Sequence, residues 1–171
     1  MYYLTLLYVS NLSITYIMEE KDYLYYFWNQ NKESWLREFA YLSKEKTLKG
    51  LTYGGLTGSQ KLVNLNDFNL EELMCAQDII RCYFYVPSYN KINEDYTSYR
   101  LKHMVERLLN KVTNGRINYV SNGTAILAMH HCGFKFRRIP GSLNCFFNVP
   151  KNCYKKMEDA LVRMNKLGLE L

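Results

Sequence analysis

The side chains best suited to hold a metal ion or to act as a nucleophile lie in the last third of the chain, at His130, His131, Cys132, Cys145 and Cys153. A structural zinc site takes four such ligands, usually as two closely spaced pairs. Adjacent histidines on a helix point about 100° apart, so they do not easily face one ion. A cysteine–histidine nucleophile also needs a group that orients the base, and the sequence supplies none. We therefore predict packed or surface residues, no metal and no cofactor.

A glycine-rich stretch over residues 50–60 has part of the pattern of a phosphate-binding loop. Gly50 and Gly55 have the P-loop spacing and Thr57 fits its serine-or-threonine position, but Leu56 stands where that loop needs a lysine. Without the lysine charge, we predict a flexible connection and not a nucleotide site. The serine-hydrolase elbow and the zinc-protease helix motif are also missing. The sequence thus favours a protein that is not an enzyme; a small enzyme that uses His131 or the thiols remains an alternative.

The distribution of charge points to a different kind of site. The chain of 171 residues has a net charge of +6. Residues 1–96 contain 9 Lys and Arg against 12 Asp and Glu, whereas residues 97–171 contain 13 against 4. Such an imbalance is typical of a protein whose basic half contacts a polyanion. A solvated basic surface without a partner explains it equally well.

Two predicted elements would display the basic residues. On a helix over residues 98–111, four side chains lie along one flank, away from the apolar stripe: Arg100, His103, Arg107 and Lys111. A hairpin over residues 134–149 alternates, so five side chains would face the core: Phe134, Phe136, Cys145, Phe147 and Val149. Its other face would expose Lys135, Arg137, Asn144, Phe146 and Asn148.

An exposed aromatic ring among cations can stack a nucleic-acid base while the cations hold phosphates. We therefore predict nucleic-acid binding by seven residues: Arg100, Arg107, Arg116, Lys135, Arg137, Arg138 and Phe146. The alternative is an ordinary amphipathic hairpin in which another element covers Phe146.

The elements that position these residues follow from hydrophobic periodicity and from turn residues. We predict helices over residues 31–45, 69–83, 98–111, 122–132 and about 152–167, a polar linker over 86–97, and the hairpin. Asn69 and Glu72 have the pattern of a capping box, and Gly133 favours the end of the fourth helix. The predicted fold is α+β: a helical N-terminal part followed by a helix-helix-β-hairpin-helix unit.

The order of elements in that unit also occurs in winged-helix modules. As a sequence-specific reader of DNA it lacks the required side chains. Its second helix would turn Thr124, Ala128 and His131 outward, with no Arg, Lys, Asn or Gln in its middle to read base edges. We expect two domains, a mainly helical region over residues 18–90 and the basic unit over residues 97–171.

Residues 1–17 are predicted to be an N-terminal extension. The segment from Met1 to Met18 carries no charge, but a signal peptide needs a positive start and a cleavage site. A membrane span needs about 20 apolar residues, and polar residues interrupt this stretch. Alternation over residues 12–16 favours a strand, and translation from Met18 is an alternative. Five cysteines without a Cys-x-x-Cys pair favour reduced thiols and a cytoplasmic protein.

Residues 98–149 resemble a small module of phage and other mobile elements. The matching pieces are YRLKHMVE at 99–106, YVSNG at 119–123, GF at 133–134 and NCFFNV at 144–149. The resemblance implies a phage or mobile-element context, with the host cytoplasm as location. It also implies that the second and fourth pieces form one feature of the fold, but it implies no activity.

The expected function is therefore that of a non-enzymatic accessory protein that binds nucleic acid through its basic C-terminal half. The alternative is a protein-binding module, such as an inhibitor of a host defence complex. Its support is the aromatic run over residues 23–28, because aromatic side chains often anchor protein interfaces.

Overall fold

The computed structural model describes residues 33, 37–88 and 91–166. Its α-helices are α1 (Leu70–Tyr83), α2 (Ser98–Val112), α3 (Asn122–His131) and α4 (Lys151–Lys166). Its strands are β1 (Leu51–Thr52), β2 (Gly55–Leu56), β3 (Asn93–Thr97), β4 (Phe136–Arg138) and β5 (Cys145–Phe147). This mixture of helices with two small antiparallel sheets confirms the α+β prediction. The predicted strand over residues 12–16, the start at Met18 and the aromatic run over residues 23–28 lie outside the described residues.

The helices begin at residues that satisfy their first backbone amides. The side chains of Asn69, Thr97 and Ser121 accept hydrogen bonds from amides in the first turns of α1, α2 and α3, as helix N-caps do. Asn114 and Gly115 have positive φ angles after α2, and Gly133 has a φ of 89° after α3. These boundaries agree with the predicted ones, because capping and turn residues act locally.

The predicted capping box is only half correct. Asn69 caps α1 as expected, but Glu72 does not act as the reciprocal partner. Its carboxylate is buried and accepts hydrogen bonds from the Tyr53 hydroxyl at 2.9 Å and from the Ser121 amide at 2.6 Å. Glu72 therefore ties α1 to the start of α3.

The predicted helix over residues 31–45 differs from the structure. Residues 37–39 are helical, and two short 3-10 segments follow at Ala40–Lys44 and Lys46–Leu48. Phe39 and Leu42 are buried, whereas Ala40 between them is exposed. The tighter 3-10 turn rotates successive side chains further than an α-helix does, and this moves Ala40 off the inner face.

Two segments predicted as irregular are strands. Residues 93–97, expected to be part of a linker, form β3, which pairs with β5, so the sheet order is β3–β5–β4. Residues 51–56, expected to be flexible, form the β1–β2 hairpin, with Leu51 opposite Leu56. Both segments contain polar or glycine residues, which have low strand propensity. Tertiary contacts therefore stabilise these strands.

The β1–β2 turn packs directly on the start of α3. The Gly123 amide donates a hydrogen bond to the Tyr53 carbonyl at 2.9 Å. A Cβ atom at residue 123 would lie 2.7 Å from that carbonyl oxygen and closer still to the carbonyl of Thr52. Only glycine permits this approach of the two backbones.

Helix α3 lies in the middle of the core, against α1, α2 and β2. Its residues from Thr124 to Met129 are fully buried, which corrects the prediction that Thr124 and Ala128 face outward. Because it is covered on all sides, α3 cannot enter a DNA groove as a recognition helix. The same core extends from Phe39 to Leu161 and so draws on both predicted regions. No helix of the described part of the chain is long and apolar enough to span a membrane.

Candidate nucleic-acid interface

The predicted stacking platform, here called the hairpin surface, comprises Lys135, Arg137 and Phe146. Arg137 lies directly opposite Phe146 across β4 and β5, with its guanidinium 5.7 Å from the ring centre. The same guanidinium pairs with Glu94 of β3 at 2.7 Å. Since β3 and β4 flank β5, this ion pair spans the central strand beside Phe146, which is only partly exposed. The ring is therefore not an open platform.

Two amides predicted to be exposed on this face are structural. Asn148 is 1% exposed, and its side-chain oxygen accepts a hydrogen bond from the Lys135 amide at 2.8 Å. Asn144 accepts one from the Asn122 amide group at 3.1 Å. The alternation that placed them outward is correct for the strands, but both side chains turn back to satisfy neighbouring backbone or side-chain groups.

Arg138 and Arg116 also have partners within the protein. The Arg138 guanidinium donates to the carbonyls of Thr57 at 3.2 Å and Thr47 at 3.3 Å, and to that of Lys49. Arg116 pairs with Glu71 of α1. Arg116 and Arg137 of the second half are thus paired with carboxylates of the first half, and Arg138 donates to backbone carbonyls of the first half. The charge imbalance seen in the sequence is therefore partly satisfied inside the molecule.

The other predicted cations, Arg100 and Arg107, lie on the outward side of α2. We call this side the α2 surface, and it comprises Tyr99, Arg100, His103, Arg107 and Lys111. Arg100 pairs with Glu158 of α4 at 3.0 Å and lies 4.2 Å from the ring centre of Tyr96. Arg107 is exposed, and its side chain makes no hydrogen bond or ion pair within the described residues. The apolar residues predicted for this helix are all buried beneath this surface: Leu101, Met104, Val105, Leu108 and Leu109.

Tyr99 of this surface and its neighbour Tyr119 are exposed tyrosines that were not among the predicted site residues. Tyr99 is 52% exposed and Tyr119 is 50% exposed. The ammonium group of Lys102 is near both rings, 4.5 Å from the Tyr119 ring centre and 5.9 Å from that of Tyr99. The position of Tyr99 on the helix surface could have been read from periodicity, whereas the contact of Tyr119 with α2 depends on the tertiary fold.

Glu106 fixes this arrangement. Its carboxylate accepts hydrogen bonds from Lys102 at 2.6 Å and from the Val120 amide at 3.2 Å, and it lies 3.3 Å from His103. Burial by itself raises the pKa of Glu106, but the hydrogen bonds from Lys102, Val120 and His103 outweigh it, so the pKa is lowered. Glu106 is thus ionised at neutral pH and holds both α2 and the loop before α3.

The Tyr119 ring also contacts the ring of Tyr53. The Tyr53 ring centre lies 6.3 Å from that of Tyr119, and the Tyr53 hydroxyl is held by Glu72. On α2, the Tyr99 ring packs edge-on against His103 with a centre separation of 4.5 Å. Both rings therefore have fixed neighbours and still expose about half of their surface.

The histidines and cysteines form no comparable site. His131 lies 2.8 Å from Glu38 and 3.0 Å from the Tyr41 hydroxyl, whereas His130 faces Glu45. All five cysteines are free, and burial raises the pKa of Cys132 to about 11, so that thiol stays protonated and a poor nucleophile at neutral pH. Within residues 33, 37–88 and 91–166, no three His, Cys, Asp or Glu side chains are grouped so that they could hold a metal ion.

Three of the four pieces on which the predicted resemblance depends meet around the start of α3. Lys102 and Glu106 belong to the first piece and contact Tyr119 and Val120 of the second. Asn122 of the second piece donates to Asn144 of the fourth. Comparisons with protein-family models, curated proteins and solved structures found no match to this chain. The site must therefore be judged from its geometry and charge.

Proposed function

We propose that the protein binds nucleic acid through its basic C-terminal half, with the α2 surface as the main contact. The observation that carries the proposal is the position of Arg107 and Arg100 on one exposed side of α2, next to the half-exposed ring of Tyr99. Cations on a helix surface contact backbone phosphates irrespective of sequence.

Helix α2 is a better candidate than the hairpin because its arginines lose fewer contacts within the protein when they bind a phosphate. Arg107 needs to release no partner within the described residues. Arg100 would exchange Glu158 for a phosphate, and its side chain in that pair is 55% exposed. Exposed ion pairs contribute only about 0–1 kcal/mol, so this exchange is cheap. Arg138 would have to abandon three backbone carbonyls, which makes a role in phosphate binding costly.

The wider context is part of the same proposal. We propose an accessory protein of a phage or mobile element that acts in the host cytoplasm. The support is the resemblance over residues 98–149, together with the mutual contacts of its pieces through Glu106 and Asn122.

The test is a salt titration of the purified protein, freed of nucleic acid, with fluorescent oligonucleotides. We expect measurable binding at low salt and a linear fall of log affinity with log salt. Arg107→Ala should lower the magnitude of that slope by about 1 and weaken binding roughly tenfold near 0.1 M salt. Arg107→Lys should keep most of the affinity, because it retains the charge.

The matched control is Lys61→Ala, which removes one positive charge from an exposed loop residue of the N-terminal part. We expect its affinity and salt slope to equal those of the unaltered protein. No binding of any oligonucleotide at low salt would overturn the proposal, as would equal losses for Arg107→Ala and Lys61→Ala.

A protein partner is the alternative function, and the half-exposed tyrosines Tyr85, Tyr99 and Tyr119 favour it. Tyrosines of this kind are common anchors of protein interfaces. In that case, Tyr99→Ala would abolish capture of the partner, and the salt titration with oligonucleotides would show no binding.

A further inference from the structure

The exposed residues Tyr99 and Tyr119 both have their rings near one ammonium group. The Lys102 nitrogen is 5.9 Å from one ring centre and 4.5 Å from the other, so the centres are separated by no more than the sum, about 10 Å. Neighbouring nucleotides of an extended single strand can bridge such a span. Bases stack on aromatic side chains irrespective of sequence, because every base has a π face.

The surroundings of the two rings are already ordered. The Lys102 side chain is only 6% exposed and is held by Glu106, so it orients the rings and is not free to reach a phosphate. The Tyr119 ring packs near the Tyr53 ring, and the Tyr99 ring packs against His103. A site whose rings are held in place loses less conformational entropy when a ligand stacks on it.

Phosphate-binding groups lie on the same helix. Arg100 and Arg107 follow Tyr99 along the outward side of α2, so a strand that stacks on Tyr99 can place its backbone along them. Duplex DNA would leave the rings unused, because its bases already stack on one another. The buried α3 offers no helix to insert into a groove.

We infer that Tyr99 and Tyr119 form a stacking site for two unpaired bases, which makes single-stranded nucleic acid the preferred ligand. This inference rests on the proposed function, since the arginines of α2 supply the phosphate contacts.

The test compares three ligands of equal length with the unaltered protein: a 12-nucleotide thymidine strand, the same strand with every base removed, and a 12-base-pair duplex. We expect the thymidine strand to bind at least about tenfold more tightly than the abasic strand, because only its bases can stack on the two rings. It should also bind more tightly than the duplex. The abasic strand keeps the phosphates, so its residual binding reports the proposed function alone.

Matched variants assign the difference to the rings. Tyr99→Leu and Tyr119→Leu should each weaken thymidine-strand binding roughly tenfold, leave the salt slope unchanged and leave abasic-strand binding unchanged. Tyr99→Phe and Tyr119→Phe keep the ring and should bind within about twofold of the original. Thermal unfolding of each variant shows whether it is folded.

The outcomes separate the two claims. Equal binding of the thymidine and abasic strands would overturn the stacking site while leaving phosphate binding intact. Absence of binding to all three ligands at low salt would overturn the proposed function and the stacking site together. A duplex bound more tightly than the single strand would also contradict the inference.

Discussion

The hairpin surface and the α2 surface have a similar composition, since both place basic residues and an aromatic ring on the side opposite their buried residues. In the fold they differ. Arg137 is paired with Glu94 across the central strand, and Phe146 is partly covered. On α2, Arg107 is exposed and Tyr99 presents about half of its surface. The contrast shows that a pattern identifies which side of an element faces outward, whereas only the fold shows whether that side is still available.

We expect the largest effect from a substitution that disturbs the packing beneath the α2 surface. Gly123→Ala places a Cβ atom against the backbone of Thr52 and Tyr53, so the β1–β2 turn or the start of α3 must move. We expect the free energy of unfolding, measured in urea, to fall by about 3 kcal/mol. Gly58→Ala is the control, because a Cβ at residue 58 meets nothing within 4 Å. Equal stability of the two variants would contradict the packing described for Gly123.

The next prediction tests whether Arg138 of the hairpin stabilises the fold or binds nucleic acid. Arg138→Ala removes charge-assisted hydrogen bonds to the carbonyls of Thr57, Thr47 and Lys49. Because the residue is exposed, we expect a loss of only about 1–2 kcal/mol in the free energy of unfolding, with oligonucleotide affinity unchanged. Lys135→Ala, which removes the same charge just before the start of β4, should leave the stability unchanged. Lower affinity at unchanged stability would instead assign Arg138 to the interface.

A pH series tests the carboxylate that orders the α2 surface. The pKa of Glu106 is lowered in the folded protein, so its contribution to stability is present above its ordinary value of 4.5 and is lost as pH falls through the lowered pKa. Glu106→Gln should therefore reduce the free energy of unfolding by about 1 kcal/mol at pH 7. The difference between the two proteins should shrink as the pH falls below 4.5. A difference that stays constant as the pH falls would mean that packing, and not ionisation, accounts for the effect.

The smallest effect concerns the ion pair beside Phe146. The side chains of Arg137 and Glu94 are 52% and 60% exposed, and such pairs contribute little. In a double-mutant cycle with Arg137→Ala and Glu94→Ala, we expect a coupling free energy below about 0.5 kcal/mol. A coupling above about 1 kcal/mol would show that this pair is rigid and that Phe146 is firmly covered.

The local features of the fold could be predicted from the sequence. The caps at Asn69 and Ser121, the apolar stripe of α2 and the turn at Gly133 depend on residues close together in the chain. Strand β3 could not be predicted, because Asn93, Glu94 and Asp95 have low strand propensity and are ordered by pairing with β5.

The candidate site was predicted in part for a similar reason. Periodicity places Arg100 and Arg107 on the outer side of α2, and both are exposed there. It could not show that Glu71 and Glu94 would pair with Arg116 and Arg137, because these residues are distant in the chain. The contact of Tyr119 with Lys102 could not be predicted from the sequence for the same reason.

The most direct test compares two double variants that remove equal charge. Arg100→Ala with Arg107→Ala alters the α2 surface, and Lys135→Ala with Arg137→Ala alters the hairpin surface. Single-strand affinity is measured for both across a range of salt concentrations. We predict that the double variant on α2 lowers the magnitude of the salt slope by about 2, while the double variant on the hairpin leaves it within the error of the original protein. The reverse result, or equal losses for both pairs, would contradict the assignment of nucleic-acid binding to α2.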